Sequence, residues 1–283
     1  MKRNEKHKET QKDFSTLYPY DDEVKRSLLE FRKQPIETLE IDGVEWEYLA
    51  TGDGRAVLFL HGMAGAYDVW WQQIDALKQD YRIVSVTYPA VDSLKKMGEA
   101  IIRILGREGI EKVSLVGTSL GGYLAQYLVA TYPEKIEKAV FANTFPPNDL
   151  IEKQNRILAW AMPYLPEWLI MYSFRRNLAR RVIPASQNSE IVKAYLLEQS
   201  YKMSKEQFIA RYRCVIDKFV PASHDIPLML IESDNDPLIP LELREELKRL
   251  YPFQKVHTFH GEGHFPYLNE PESYTRLLRD FLG

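Results

Sequence analysis

The chain is poor in cysteine and has no excess of charge of one sign. Of its 283 residues one is a cysteine, Cys214, and the formal net charge at pH 7 is −3. A single cysteine excludes an intrachain disulfide framework and a zinc site built from cysteines, and it fits a reducing compartment. A nucleic-acid-binding domain would carry a basic face, so this charge balance argues against nucleic acid as a partner.

Long hydrophobic runs are also absent. The most apolar stretch, residues 157–172, is shorter than the ~18 residues that cross a bilayer, and it contains Pro163, Pro166 and Glu167. The first dozen residues are polar and basic and lack the apolar region of a secretory signal. We therefore expect no transmembrane segment and a cytoplasmic location. No G-x-G-x-x-G follows a predicted strand and no G-x-x-x-x-G-K-[ST] occurs, which argues against a nucleotide cofactor.

The first fifty residues contain a tail, a helix and a hairpin. Residues 1–18 are polar and predict a disordered tail. Asp21–Gln34 has apolar residues at helical spacing, which predicts a short helix that ends at Pro35. Two alternating stretches within Glu37–Ala50 flank Asp42-Gly43, and this pattern indicates a β-hairpin.

From residue 56 onward, continuous apolar runs alternate with amphipathic stretches. The predicted strands are Ala56–Leu60, Arg82–Thr87, Val113–Val116, Ala139–Ala142, Pro227–Ile231 and Lys255–Phe259. The predicted helices are Tyr67–Lys78, Asp92–Arg107, Leu120–Thr131 and Pro271–Phe281. Short strands that are apolar on both faces and separated by helices form a parallel sheet with helices on both sides. The predicted fold class is therefore α/β.

The interval between the fourth and fifth of these strands contains no convincing buried strand. We interpret it as a helical cap inserted over the carboxyl edge of the sheet, where open α/β sheets bind their ligands. The predicted organisation is a tail with a short helix (1–36), an α/β core (37–145 and 223–283) and this cap (146–222).

The cap is rich in aromatic residues and arginine. Trp160, Tyr164 and Trp168 belong to the core of the cap, line an apolar acyl pocket or lie on a lid that meets lipid. A group of arginines follows directly: Arg175, Arg176, Arg180 and Arg181. They form either a solvated helix face or a site for an acidic group or a membrane surface.

Gly117 to Gly121 form a G-x-S-x-G motif between a predicted strand and a predicted helix. The sharp turn strains the serine at its centre, and flanking glycines have no side chains to collide with it. The hydroxyl then projects above the sheet edge at a helix N-terminus, where free N–H groups favour a developing negative charge. We therefore interpret Ser119 as a nucleophile; the alternative is a tight glycine turn with an incidental serine.

A serine nucleophile needs a base, and in this arrangement an acid and then a histidine follow it along the chain. Asp234 and Asp236 both follow a predicted strand; we favour Asp236 and keep Asp234 as the alternative. His264 lies in a glycine-rich loop after the last predicted strand and is favoured as the base. His257 and His260 lie on or near that strand, where their directions diverge, so we expect no metal site.

The transition state of acyl transfer needs hydrogen-bond donors for its oxyanion. The predicted donors are the backbone N–H of Leu120, after the nucleophile, and that of Met63, in the glycine-containing loop after the first central strand. An ordinary glycine turn is the alternative interpretation of that loop.

Four motifs taken together resemble the α/β-hydrolase fold family over residues 37–283: HGMAG, GTSLGG, SDNDPLIP and GEGHFPYLNEPE. The resemblance implies a mostly parallel eight-stranded sheet with a helical cap and a Ser119–His264–Asp236 triad. The segments FRKQP, YRIVSVTYP, GTSLGGYLAQ and FPYL are more specifically similar to maspardin-type hydrolase-like proteins. Some members of that branch are thought to be non-catalytic, and there the histidine position is not dependable; this sequence has His264.

These observations predict a serine hydrolase that needs no cofactor and acts on a small-molecule carboxylic ester. An ester with an apolar acyl group is one candidate substrate. A C–C hydrolase or a perhydrolase would use the same triad. A non-catalytic binding or scaffold protein of the same fold is the alternative from another class. Pocket shape and oligomeric state are not encoded in these motifs.

Overall fold

The computed structural model describes residues 14–19 and 22–283. An eight-stranded sheet lies at its centre. The strands are β1 (Glu37–Ile41), β2 (Val44–Thr51), β3 (Arg55–Leu60), β4 (Tyr81–Thr87), β5 (Val113–Thr118), β6 (Ile136–Ala142), β7 (Leu228–Ser233) and β8 (Lys255–Phe259). The helices are α1 (Glu23–Phe31), α2 (Trp71–Leu77), α3 (Leu94–Arg107), α4 (Leu120–Thr131), α5 (Asp149–Ala161), α6 (Glu167–Asn177), α7 (Ile183–Ala185), α8 (Glu190–Lys202), α9 (Lys205–Ile216), α10 (Leu241–Leu250), α11 (Pro266–Asn269) and α12 (Pro271–Leu282).

The strand order is β1-β2-β4-β3-β5-β6-β7-β8. β1 and β2 are antiparallel, β2 is antiparallel to β4, and the remaining neighbours are parallel. The chain order reverses between β3 and β5, so the loops after these two strands meet at the carboxyl edge, where doubly wound sheets bind ligands. This architecture confirms the predicted fold class and the eight-stranded sheet.

Each face of the sheet is covered by its own group of helices. Side chains alternate along a strand, so Leu58 and Leu60 pack on one face while Val57 and Phe59 pack on the other. Helices α3, α4 and α10 cover the first face, and α1, α2 and α12 cover the second. The central strands are therefore apolar on both sides, as their uninterrupted hydrophobic runs predict.

The N-terminal region is partly more ordered than the sequence predicts. Asp22 caps α1 by accepting a hydrogen bond from the Lys25 N–H at 3.0 Å. The predicted disordered tail is wrong for residues 14–18, because Ser15–Leu17 form a 3₁₀ turn and the Tyr18 side chain is buried. Residues 1–13 lie outside the described part of the chain.

A buried ion network links this N-terminal region to α8. Tyr18 donates a hydrogen bond to the Glu198 carboxylate. Arg32 lies between two carboxylates, with its Nε 2.6 Å from Asp68 and its Nη2 2.9 Å from Glu198. Tyr18, Arg32 and Asp68 are all distant in sequence from Glu198, so sequence periodicity does not reveal this network.

The segment between β6 and β7 is helical and carries α5 to α9. Its helices meet the core in different ways. Side chains of α8, such as Tyr195, join the core on one face of the sheet, whereas parts of α5, α6 and α9 form a separate hydrophobic cluster. We call residues 146–222 the cap below; their division from the rest of the chain as a domain stays a prediction.

Candidate active site

Ser119 occupies the turn between β5 and α4, with φ 55° and ψ −121°. A residue with a side chain rarely adopts such a positive φ, and strain of this kind is concentrated at functional sites. The flanking glycines are sterically required: a Cβ on Gly117 would lie 2.3 Å from the Gly121 carbonyl oxygen, and one on Gly121 would lie 2.2 Å from the Leu60 carbonyl oxygen. The G-x-S-x-G motif therefore reflects the packing of this turn against β3.

Asp236 and His264 are in direct contact beneath the same edge of the sheet. The His264 Nδ1 lies 2.7 Å from the Asp236 Oδ2, and both side chains are almost completely buried. A carboxylate only accepts hydrogen bonds, so Nδ1 carries the proton and Nε2 is left as an acceptor. The other carboxylate oxygen of Asp236 accepts the backbone N–H groups of Leu238 and Ile239 at 2.8 and 3.3 Å.

Asp234, the alternative acid, lies in the same loop but contacts a different histidine. Its carboxylate accepts the Gly261 N–H at 2.9 Å and lies 2.8 Å from the His260 Nδ1. These hydrogen bonds, with that of Gly261 the strongest influence, lower the pKa of Asp234. Asp234 is solvent-exposed and braces the loop, so the structure separates the two carboxylates, placing only Asp236 beside His264.

Asn143 is a member of this cluster that the sequence analysis missed. It follows β6 with a positive φ of 39°, and its buried Nδ2 donates to the Asp236 Oδ2 at 3.0 Å. Its neighbour Thr144 donates to the Ser119 carbonyl oxygen at 2.7 Å. Their position directly after a buried strand of the parallel sheet was the available signal, because such residues meet at one sheet edge.

The loop after β3 packs against Ser119. A Cβ on Gly62 would lie 3.1 Å from the Ser119 Cβ, so glycine allows this close approach. His61 is buried beneath the loop: its Nε2 accepts the Tyr88 N–H at 3.2 Å, and its protonated Nδ1 donates to the Gly62 carbonyl at 2.6 Å. Burial, together with the charge of Arg211, holds the pKa of His61 well below its usual value. A neutral His61 therefore braces the loop.

Arg211 of α9 connects the cap to this loop. Its guanidinium donates to the carbonyl oxygens of Met63, Gly65 and Tyr88 at 2.9, 3.1 and 2.7 Å. The side chain is buried, and burial lowers the pKa of Arg211 to about 10. In the described part of the chain no carboxylate pairs with it, so these carbonyl dipoles and the Tyr88 ring, 5.8 Å from the guanidinium carbon, stabilise its charge.

The two predicted oxyanion donors belong to Leu120 and Met63, which lie on two segments next to Ser119. Leu120 is the first residue of α4, where the N–H group has no acceptor within the helix. Met63 lies in the loop held by Arg211, and both Met63 and Ser119 border the same cavity. Both residues therefore belong to segments that adjoin the nucleophile; that their N–H groups bind an oxyanion stays a prediction.

A cavity of about 530 Å³ lies between the sheet edge and the cap. Ser119 and His264 border it on the core side. Its walls are mainly apolar cap residues, including Leu158, Met162, Leu165, Leu169, Ile170, Phe174, Leu178, Val182, Phe208 and Val215. A site of this size and polarity suits a small, largely apolar ligand.

Trp160, Tyr164 and Trp168 do not border this cavity, and they are not in the core of the cap. Their side chains are 72%, 79% and 69% exposed. For Trp168 the cause is helix rotation: α6 directs Leu169 and Ile170 inward and the adjacent Trp168 outward. For these three residues, placement in the pocket or in the core was wrong.

The described ranges, residues 14–19 and 22–283, contain neither a cluster of metal ligands nor a membrane-spanning helix. Within them no three histidine, cysteine, aspartate or glutamate side chains are grouped as metal ligands would be. No helix there is long and apolar enough to cross a membrane.

Comparisons with known proteins agree with this architecture. Residues 55–271 match the α/β hydrolase fold family. Maspardin of Danio rerio is 24% identical over 239 residues, covering 80% of this chain and 75% of maspardin, and the esterase YbfF of Escherichia coli is 22% identical over 244 residues, covering 80% and 92%. The crystal structure of a hydrolase from Pseudomonas aeruginosa superimposes with a TM-score of 0.75 at 18% identity, covering 88% of this chain and 98% of that one.

Proposed function

Since this chain belongs to the α/β-hydrolase family, we propose that it is a serine hydrolase that cleaves a carboxylic ester through an acyl-enzyme intermediate. The observation that carries the proposal is the buried 2.7 Å contact between Asp236 and His264. His264 and Ser119 border the same cavity, and Ser119 lies on a strained turn. The similarity to an esterase supports the same general reaction.

In the acylation step Ser119 attacks the ester carbonyl carbon while the His264 Nε2 accepts the hydroxyl proton. Asp236 holds His264 in the required tautomer and stabilises its cation. The backbone N–H groups of Leu120 and Met63 bind the oxyanion of the tetrahedral intermediate. Collapse of this intermediate breaks the carbonyl–alkoxy bond, and His264 returns the proton to the departing alcohol.

In the deacylation step water replaces the alcohol. His264 takes a proton from the water as its oxygen attacks the acyl-enzyme carbonyl, and it then returns the proton to Ser119. The carboxylic acid leaves as the second product. Every proton is moved by His264, and the chemistry therefore requires no cofactor or metal.

The apolar cavity walls favour an ester whose acyl group is apolar. Each methylene transferred from water to such a wall contributes about 0.8 kcal/mol. The cap residues among these walls, such as Leu165 and Leu169, then determine which acyl groups fit.

The proposal is tested by labelling the purified full-length protein with a fluorophosphonate, which reacts with activated serines without requiring a known substrate. We expect one adduct per chain on Ser119, identified by peptide mass mapping. Ser119→Ala should abolish it and should lower ester turnover by about 10⁴–10⁶-fold, by comparison with other triads. Ser173→Ala is the matched control, because Ser173 borders the same cavity and has no proposed catalytic role.

The outcomes separate the alternative functions. Turnover in Ser119→Ala above a few per cent of the parent value would contradict the assignment of the nucleophile. A folded protein that forms no adduct and hydrolyses no ester would favour a binding protein of the same fold. An adduct on Ser119 without ester turnover would direct the search to C–C bond or peracid chemistry, which uses the same nucleophile.

A further inference from the structure

Five large apolar side chains stand exposed along α5, α6 and the 3₁₀ turn between them. They are Ile157, Trp160, Tyr164, Trp168 and Tyr172, and their exposed fractions are 79%, 72%, 79%, 69% and 59%. We call this set the aromatic cap surface. Single exposed apolar residues are ordinary, but a contiguous group of this size marks an interaction site.

Basic residues accompany the aromatic cap surface. Residues 150–181 contain six lysines and arginines and two glutamates, whereas the whole chain has a net charge of −3. The charge of this segment is therefore opposite in sign to that of the molecule.

The aromatic and basic side chains share one side of a helix. Trp168, Tyr172, Arg176 and Arg180 follow one another at intervals of four residues along α6 and its π-helical continuation, and all four are exposed. In the described part of the chain neither Arg176 nor Arg180 pairs with a carboxylate. Their charges are thus available to a partner.

We propose that the aromatic cap surface, with Arg176 and Arg180, docks on an anionic lipid bilayer. Tryptophan and tyrosine have an apolar ring and a polar group, which suits the boundary between lipid headgroups and acyl chains. Arginines that follow such rings along the same side of a helix can reach the acidic headgroups while the rings enter this boundary. A protein partner with a dry apolar interface would leave these arginines without counter-charges.

The same helices separate the proposed lipid surface from the cavity. Leu158, 46% exposed, and the half-buried Leu169 border the cavity, while their neighbours Trp160 and Trp168 face outward. Docking would place this wall of the cavity against the bilayer. The lipid surface does not depend on the proposed triad, so the two proposals can fail separately.

Tryptophan fluorescence provides a direct test with the full-length chain. Trp46, Trp70 and Trp71 are fully buried, and Trp160 and Trp168 are exposed, so a change on adding vesicles reports on the cap. With vesicles of phosphatidylcholine and phosphatidylserine we expect the emission to move to shorter wavelength, with protection from acrylamide quenching. Co-sedimentation measures the partition coefficient, and vesicles of phosphatidylcholine alone should bind far less.

Two variants and their controls test the surface. Each arginine near an anionic membrane contributes about 1 kcal/mol, or about fivefold in partitioning, so R176E/R180E should weaken binding at least about 25-fold. The control K112E/R249E makes the same change of net charge at exposed positions elsewhere and should bind almost normally. Trp160→Ala with Trp168→Ala should also lose binding, whereas Leu241→Ala with Leu250→Ala, two exposed leucines of α10, should not.

Three results would overturn the proposal. One is equal partitioning of the parent chain to neutral and anionic vesicles. The second is unchanged binding by the arginine or tryptophan variants. The third is a concentration-dependent dimer, seen by sedimentation velocity without lipid, that protects Trp160 and Trp168 and is broken by the same variants, because the surface would then bind a second copy of this chain. Labelling of Ser119 is independent of all three results.

Discussion

The loops at the carboxyl edge of the sheet and the helices α5 and α6 face each other across one cavity, yet they are built in opposite ways. In the loops, hydrogen bonds hold the carboxylate of the candidate site from several directions: Asp236 is bonded by His264, Asn143 and two backbone N–H groups. The two helices instead have apolar side chains facing the cavity on one side and exposed aromatic rings on the other.

The two regions restrict their residues in different ways: backbone sterics limit the residue type in the loops, and position around the helix decides the role of a side chain on α6. In the loops the backbone restricts the residue type, since a side chain on Gly117 or Gly121 would collide with neighbouring carbonyl groups. On α6 many residue types fit the helix, and the position around its circumference decides whether a side chain meets the ligand or the solvent. Substitutions should accordingly have large effects on catalysis in the loops and graded effects on specificity in the helices.

The largest effect is expected from the comparison of Asp236 with Asp234, two carboxylates in one loop. Asp236→Asn should lower kcat by about 10⁴-fold, because an amide can hold His264 in the wrong tautomer. Asp234→Asn removes an exposed brace that contacts His260, and it should change kcat by less than about threefold. The measurement is steady-state hydrolysis of a soluble ester by both variants, with thermal unfolding as the control for folding.

Equal losses in the two variants would mean that the loop acts as a single structural unit, and the assignment of Asp236 as the acid partner of His264 would fail. A large loss in Asp234→Asn alone would exchange the two roles. Either result would also remove the distinction between a buried functional carboxylate and an exposed structural one.

The sequence predicted the sheet and the candidate site where the local chain restricts residue choice. The strand–G-x-S-x-G–helix pattern placed Ser119 correctly on its turn, and Asp42-Gly43 placed the hairpin, where Ile41 pairs with Val44 and both turn residues have positive φ. These features depend on a few neighbouring residues. Backbone sterics therefore allow these two turns to be predicted from the sequence without knowledge of the tertiary structure.

The parts that the sequence did not predict depend on long-range contacts. Asn143 and Arg211 reach the site from segments far from its motifs; the position of Asn143 after a buried strand was a signal too general to give its partner, and Arg211 lies in no distinctive pattern. The orientation of Trp168 depends on how α6 is rotated against the core, and an aromatic stripe fits a buried face and a docking face equally well. The composition shows that the cap is rich in aromatic residues and arginine, but only its packing shows which of these side chains are exposed.

The next largest effect is expected at Arg211, which links the two regions. Arg211→Met would leave the carbonyl groups of Met63, Gly65 and Tyr88 without their donor. Unpaired buried groups cost about 1–3 kcal/mol of unfolding free energy. If the loop after β3 then shifts by about 1 Å, kcat should fall by up to about 10²-fold, while KM changes much less.

If Arg211 has a purely structural role, Arg211→Met should lower the melting temperature and leave kcat unchanged at temperatures where the variant is folded. A fall in kcat of the folded variant would instead show that Arg211 positions the loop. Arg211→Lys should recover part of kcat, because its ammonium can still donate to these carbonyls. Arg213→Met is the matched control: Arg213 lies on the same helix, is exposed and contacts Asp92 at 3.3 Å. It should change kcat by less than about twofold.

The smallest and most selective effect is expected from two adjacent residues of α6, Leu169 and Trp168. Leu169→Trp should fill part of the cavity and exclude the end of a long acyl chain. Exclusion of two methylenes corresponds to about 1.6 kcal/mol, or about 15-fold in kcat/KM, whereas a short-chain ester should be hydrolysed almost normally. Trp168→Ala, one residue away and outside the cavity, should leave kcat/KM for both soluble esters unchanged. A panel of esters graded by acyl length measures both variants.

If Trp168→Ala instead altered chain-length preference in the absence of lipid, the outward face of α6 would belong to the substrate site, and the division of this helix into a ligand face and a docking face would be wrong.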